Sequence, residues 1–205
     1  MAFLTEAEKQ KLRERIRRIE EGTSGELVTV LARESDPYPF IPLLWAGMIA
    51  LAVPPVLLVA SVDWSMAVVS VLQLGLFLVL ALALRWTPLK MRLIPKDVKR
   101  RRAARTAREV FLDQGLHHAA NRNGLLIFVS IGERYVEILA DKGINEHVAQ
   151  EQWDAIVADF VQAVKAGRVA EGFDAAVDAC GAILAAHFPA EAGSKNELPD
   201  RLIEL

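Results

Sequence analysis

Two long apolar stretches interrupt a chain that is otherwise mixed in character: residues 40–61 and 66–86. Each is close to the ~20 residues that carry a helix across a bilayer. Arg85, at the far end of the second, is the one charged residue in either. A helix from a soluble core keeps a polar face, and neither stretch has one. Only Val62, Asp63, Trp64 and Ser65 separate them. The pattern therefore predicts a transmembrane helical hairpin with soluble sequence on both sides. Pro54-Pro55 falls within the first stretch, where missing amide donors and ring clashes predict a kink or local break.

The flanking sequence alternates in a different way. Thr5 followed by Glu8 is a capping-box start for a helix whose Leu12, Ile16 and Ile19 share a face. Gly22-Thr23-Ser24-Gly25 ends it, and residues 26–32 read as a strand apolar enough to be central in a sheet. After the hairpin, residues 95–113 predict a basic helix with Ala103, Ala107, Val110 and Phe111 on its apolar side. Asn121-Arg122-Asn123-Gly124 is turn chemistry, and residues 125–131 give a second buried strand. Gly132-Glu133 turns into residues 134–140, whose alternation puts Val136, Ile138 and Ala140 on one side of a half-buried antiparallel strand. Two helices follow, the first with Trp153, Ile156, Val157, Phe160 and Val164 on its apolar face, the second with Phe173, Val177, Cys180 and Leu184.

The expected fold is α/β: a small Rossmann-like sheet of about three or more strands, flanked by helices and carrying an inserted membrane hairpin. The first strand, the basic helix and the second strand suit a right-handed βαβ crossover. The expected organisation is residues 1–38 as the first part of the soluble domain, 39–86 as the hairpin, 87–188 as the second part, and 189–205 as a polar, mobile tail.

Charge then orients the hairpin. The net charge of −2 hides a basic segment after the second span, where Lys90, Arg92, Lys96, Lys99, Arg100, Arg101, Arg102, Arg105 and Arg108 face one acid, Asp97. Positive flanks stay cytoplasmic, so both termini are expected inside and Asp63 outside. Arg100, Arg101, Arg102 and Arg105 are expected at the membrane surface, drawn to anionic headgroups. No aromatic residue interleaves them, which disfavours nucleic acid as a partner. Residues 1–22 lack the apolar core of a secretory signal, and the lone Cys180 cannot form an internal disulfide.

Several segments together resemble the TPM domain: Thr23-Ser24-Gly25-Glu26-Leu27-Val28-Thr29-Val30, Asn123-Gly124-Leu125-Leu126-Ile127-Phe128-Val129, residues 134–144, and Gly172-Phe173-Asp174-Ala175-Ala176-Val177. That family is named for thylakoid-lumen, photosystem II-associated and receptor-modulating members. The chain is similar to a bacterial subgroup in which a membrane hairpin splits the domain. The resemblance implies a Rossmann-like sandwich and a bacterial inner-membrane protein. It also implies either an assembly or maintenance role with membrane-bound protein partners, or weak phosphatase activity with calcium.

The chemistry visible in the residues is sparse. Asp141 ends the antiparallel strand, on the edge where the loops entering the two parallel strands bring Ser24, Asn121 and Asn123. Carboxylate, amide and hydroxyl oxygens suit a hard cation, with Glu26 and Asp174 as further donors. The plain alternative is that Asp141-Lys142-Gly143 is a turn and Asp174 a capping or solvated acid. His117-His118 are adjacent, His147 and His187 are remote in sequence, and no cysteine cluster accompanies them, which argues against a structural zinc site. Cys180 on an apolar face reads as a buried thiol. No G-x-S-x-G or G-x-x-x-x-G-K-[ST] motif occurs. The first reading is a non-enzymatic membrane protein that presents a cytoplasmic TPM-like domain as an assembly, maintenance or interaction factor. The alternative is a weak phosphatase or cation-dependent hydrolase.

Overall fold

The computed structural model describes residues 3–61, 63–116, 122–190 and 202–205. In chain order the elements are α1 (Glu6–Glu20), β1 (Glu26–Ala32), α2 (Phe40–Leu51), α3 (Val53–Val59), α4 (Met66–Ala83), α5 (Thr87–Leu93), α6 (Lys96–Asp113), β2 (Gly124–Ser130), β3 (Tyr135–Ala140), α7 (Lys142–Asn145), α8 (Gln150–Lys165), α9 (Val169–His187) and β4 (Leu202–Glu204). They fall into two compact units. One comprises Met1–Ser35 with Arg102–Leu205, and the other Asp36–Arg101.

The first unit is built on a mixed sheet of order β3-β2-β1-β4. β1 and β2 are parallel with Leu27 opposite Leu125, and β2 and β3 are antiparallel with Leu125 opposite Ala140. All seven residues of β1 and of β2 are buried, as expected of central strands covered on both faces. On one face Leu27, Leu31, Leu125, Ile127 and Val129 pack with Leu12 and Ile16 of α1, Trp153 and Phe160 of α8, and Phe173, Val177 and Leu184 of α9. On the other, Val28, Val30, Leu126 and Phe128 pack against Ala103 and Ala107 of α6. The small alanines let the helix lie close to the sheet. Gly124 permits a second close approach: a Cβ there would lie 2.4 Å from the Leu116 backbone oxygen.

Local chemistry starts these elements where the pattern placed them. Thr5 and Glu8 form the full capping box at α1, with the Thr5 N–H donating to Glu8 at 2.7 Å. These hydrogen bonds from Thr5 hold the Glu8 carboxyl below its ordinary range. β3 is half-buried throughout, an edge strand whose Val136, Ile138 and Ala140 join the larger core cluster. The turn into it ends at Arg134, which takes φ 54°.

Of the tail expected to be mobile over 189–205, residues 191–201 lie outside the described residues, while its described end is a strand. Leu202–Glu204 forms β4, parallel to β1, with Thr29 opposite Leu202. Backbone bonds Arg33 N to Leu205 O, 2.8 Å, and Leu205 N to Leu31 O, 3.1 Å, extend the ladder. Leu202 is buried, and Glu204 forms a 2.8 Å ion pair with Lys9, which Glu6 also contacts at 2.7 Å. Glu204 and then Glu6 hold the Lys9 ammonium above its ordinary range. The strand covers an edge of β1 that would otherwise present unpaired backbone groups.

The second unit contains two helical stretches long and apolar enough to cross a membrane, Phe40–Val59 and Met66–Ala83, with mean hydropathy 2.1 and 2.5. The first is broken between α2 and α3 at Ala52. Pro54 and Pro55 account for the break: neither can donate an amide hydrogen, and their rings crowd the carbonyls one turn back. α4 starts at Ser65, whose hydroxyl accepts from the Val68 N–H at 3.4 Å. Ser70 donates back to the Met66 carbonyl at 2.8 Å, which satisfies its hydroxyl within the helix. Within this unit Tyr38, Met91 and Ile94 make a small buried cluster with Ile41 and Val98.

Candidate functional site

The entering edge of β1 and β2 gathers three of the polar residues singled out from the sequence. Asn123 is buried, and its amide donates to the Ser24 carbonyl at 2.6 Å. Its own carbonyl accepts from the Glu26 N–H at 3.2 Å. The two entering loops are thereby tied to one another. Thr23 fixes the first loop further: its hydroxyl accepts from Gly25 N–H at 3.0 Å and donates to the Phe188 carbonyl, which also accepts from Ser24 N–H at 2.9 Å. The end of α9 is thus stitched to the start of β1.

Asp141 closes the same edge from β3. Its N–H donates to the Gly124 carbonyl at 2.9 Å, and its Oδ1 accepts from Lys142 N–H at 2.7 Å. It is the N-cap of α7. Its second oxygen, Oδ2, is buried and has no hydrogen-bond partner among the described residues. Asn121, the fourth residue of the candidate cation set, lies outside the described residues, as do His117 and His118.

Asp174 is engaged elsewhere. It pairs with Lys11 at 2.8 Å and with Arg15 at 3.4 Å, tying α9 to α1. Arg15 also pairs with Asp178, and that hydrogen bond is the main reason its guanidinium is held above its ordinary range. Asp174 lies thirteen residues before His187 on α9, about 20 Å along the helix, so it does not share the Asp141 edge. Among the described residues no group of three or more His, Cys, Asp or Glu converges as a metal site.

The opposite edge holds a cluster that the sequence did not signal. The Ser130 hydroxyl donates to Glu133 Oε2, and Glu133 Oε1 accepts from Ser35 N–H at 3.0 Å. The Ser35 carbonyl accepts from the Thr106 hydroxyl at 3.0 Å. Ser35 is therefore pinned between the β2–β3 turn and α6 where the chain leaves the first unit. A Ser-x-x-Glu spacing beyond a strand was the signal available, and only the parallel pairing gives it meaning.

The basic set divides by exposure. Arg100, Arg101, Arg102, Arg105 and Arg108 are all exposed on α6, while Ala103 and Ala107 are fully buried. Arg105 pairs with Glu109 at 2.7 Å, within the helix. Cys180 is fully buried, and that burial pushes its thiol up to about 12, away from nucleophilic chemistry.

Residues 93–183 match the family model for the TPM domain. The solution structure of the BA42 protein from the psychrophilic bacterium Bizionia argentinensis has a TM-score of 0.62 to this chain at 21% identity, covering 99% of this chain and 96% of that one. At that identity the likeness is one of fold. Comparison with curated proteins gives no match.

Proposed function

We propose that this chain, which carries a TPM domain over residues 93–183, is a two-pass membrane protein of the bacterial inner membrane. In this reading its hairpin tethers a cytoplasmic α/β unit to the bilayer, where the unit serves as an assembly or interaction factor. One observation carries it. Phe40, Leu58, Val59 and Met66 are 80–86% exposed, and none of the 18 residues of α4 is buried. Two helices of that length and composition, with such side chains uncovered, match hydrocarbon as solvent far better than water.

Interaction is favoured over hydrolysis by the contents of the entering edge. Asn123 is committed to holding loops, and Asp141 to capping α7. A hydrolase needs a nucleophile or activated water together with a placed acid or base. The carboxylates placed at that edge are those of Asp141 and Glu26, and among the described residues no group of three or more His, Cys, Asp or Glu converges.

The exposed arginines supply the second half of the reading, a face that meets anionic headgroups. Replacing Arg100, Arg101 and Arg102 by Gln in the soluble unit, with the hairpin removed, should weaken binding to anionic vesicles at least tenfold. Each charge near an anionic surface is worth ~1 kcal/mol. Added salt should shrink the difference. Equal binding of the parent unit to neutral and anionic vesicles would overturn this part of the reading.

A further inference from the structure

We propose that His147 and His187 form a two-histidine surface site for a late first-row transition-metal ion, with zinc as its representative. The site is separate from the membrane-tethering reading and does not depend on it. The two residues stand far apart in the chain, one just after α7 and the other the last residue of α9. The fold brings their rings to a centroid separation of 5.7 Å with planes 12° apart.

Stacked rings keep their nitrogen lone pairs in separate planes, so a shared ion needs the rings to turn, but the distance between them already suits one. With metal–nitrogen bonds of about 2.0–2.1 Å and angles near tetrahedral, two imidazole centroids on one ion lie roughly 5–6 Å apart. Both histidines are exposed, so rotation about the side-chain torsions can aim a nitrogen from each ring at one point while water fills the remaining positions. Their backbones are already fixed. His147 N–H donates to the Ile144 carbonyl at 3.0 Å, and the Phe188 N–H beside His187 donates to Leu184 at 2.7 Å. The Phe188 ring packs edge-on to His147, with centroids 5.9 Å apart and planes at 70°, restricting how that imidazole tilts. The fold thus holds the two backbone positions close before the ion arrives, leaving side-chain rotation to complete the pair. Imidazole pairs suit zinc, copper and nickel, whereas calcium prefers oxygen, so calcium should not compete for this site.

The test is calorimetric titration of zinc chloride into the tag-free full chain in nanodiscs near neutral pH. His147→Gln, His187→Gln and a His117→Gln/His118→Gln double variant are titrated alongside, with circular dichroism as the check on folding. The parent should bind zinc at least tenfold more tightly than either single variant, and the 117/118 double variant should match the parent. Millimolar calcium should leave the titration unchanged. The proposal is overturned if either single variant binds like the parent, if the parent shows no zinc binding, or if the loss follows His117 and His118. In any of those cases the rings merely stack.

Discussion

Removal of residues 36–95 should leave a protein that is soluble without detergent and unfolds in one cooperative transition. The first unit contains the whole four-stranded sheet and both of its helical faces without contribution from the hairpin. Its exit is also prepared. Ser35 is held by Glu133 and by Thr106, and Lys96 lies ten residues before Thr106 on the same helix, about 15 Å along its axis. A linker of eight Gly and Ser residues reaches roughly 26 Å when extended, which spans that distance. Lengthening a connection between fixed ends costs little because closure entropy grows only logarithmically. The expected measurement is a single denaturation curve and a monomeric elution volume without detergent. An aggregated or molten product would mean that the sheet needs the second unit to form.

Phe173→Ala should cost that soluble unit about 3–5 kcal/mol, the range for deleting a fully buried aromatic ring. Phe173 is 0% exposed and meets Phe160 edge-to-face, with ring centroids 5.0 Å apart and planes at 80°. It joins α8 and α9 above the sheet, so the void would open where two helices and the strands meet. Small domains hold only 5–15 kcal/mol in total, and the variant should lose a large part of it. The midpoint of chemical denaturation, at unchanged slope, reads the loss. A cost below about 1 kcal/mol would show that the helices collapse onto the gap and that the aromatic pair is not a fixed part of the core.

What the chain's pattern revealed and what it hid follow from the range of the interactions. β1 was legible as residues 26–32 because a strand buried on both faces must be apolar throughout. β2 lay one residue from its expected position for the same reason, and β3 was visible by alternation. The break at Ala52 followed directly from Pro54-Pro55. β4 was hidden. Leu202-Ile203-Glu204 is too short to signal a strand and sits in polar sequence, and its order comes from the open edge of β1 and from Lys9, almost the whole chain length away. The same holds at the entering edge. Ser24, Asn123 and Asp141 could be placed together from strand directions alone. That Asn123 would spend its amide on the Ser24 carbonyl, and that Asp174 would turn to Arg15, depended on loop and helix positions with no local signature. The pairing of His147 with His187 is of this kind too, since nothing in either neighbourhood points to the other.

Topology tests the central claim most directly. The native Cys180 is fully buried, with a thiol pushed up to about 12, so it stays silent to maleimide in the folded chain. Single cysteines can then be introduced as Glu14→Cys, Asp63→Cys and Glu151→Cys, all exposed positions. With a membrane-impermeant maleimide on intact cells, a two-pass hairpin with cytoplasmic ends requires labelling at position 63 alone, with 14 and 151 reacting only after the membrane is opened. Labelling of 14 or 151 in intact cells, or protection of 63, would contradict it.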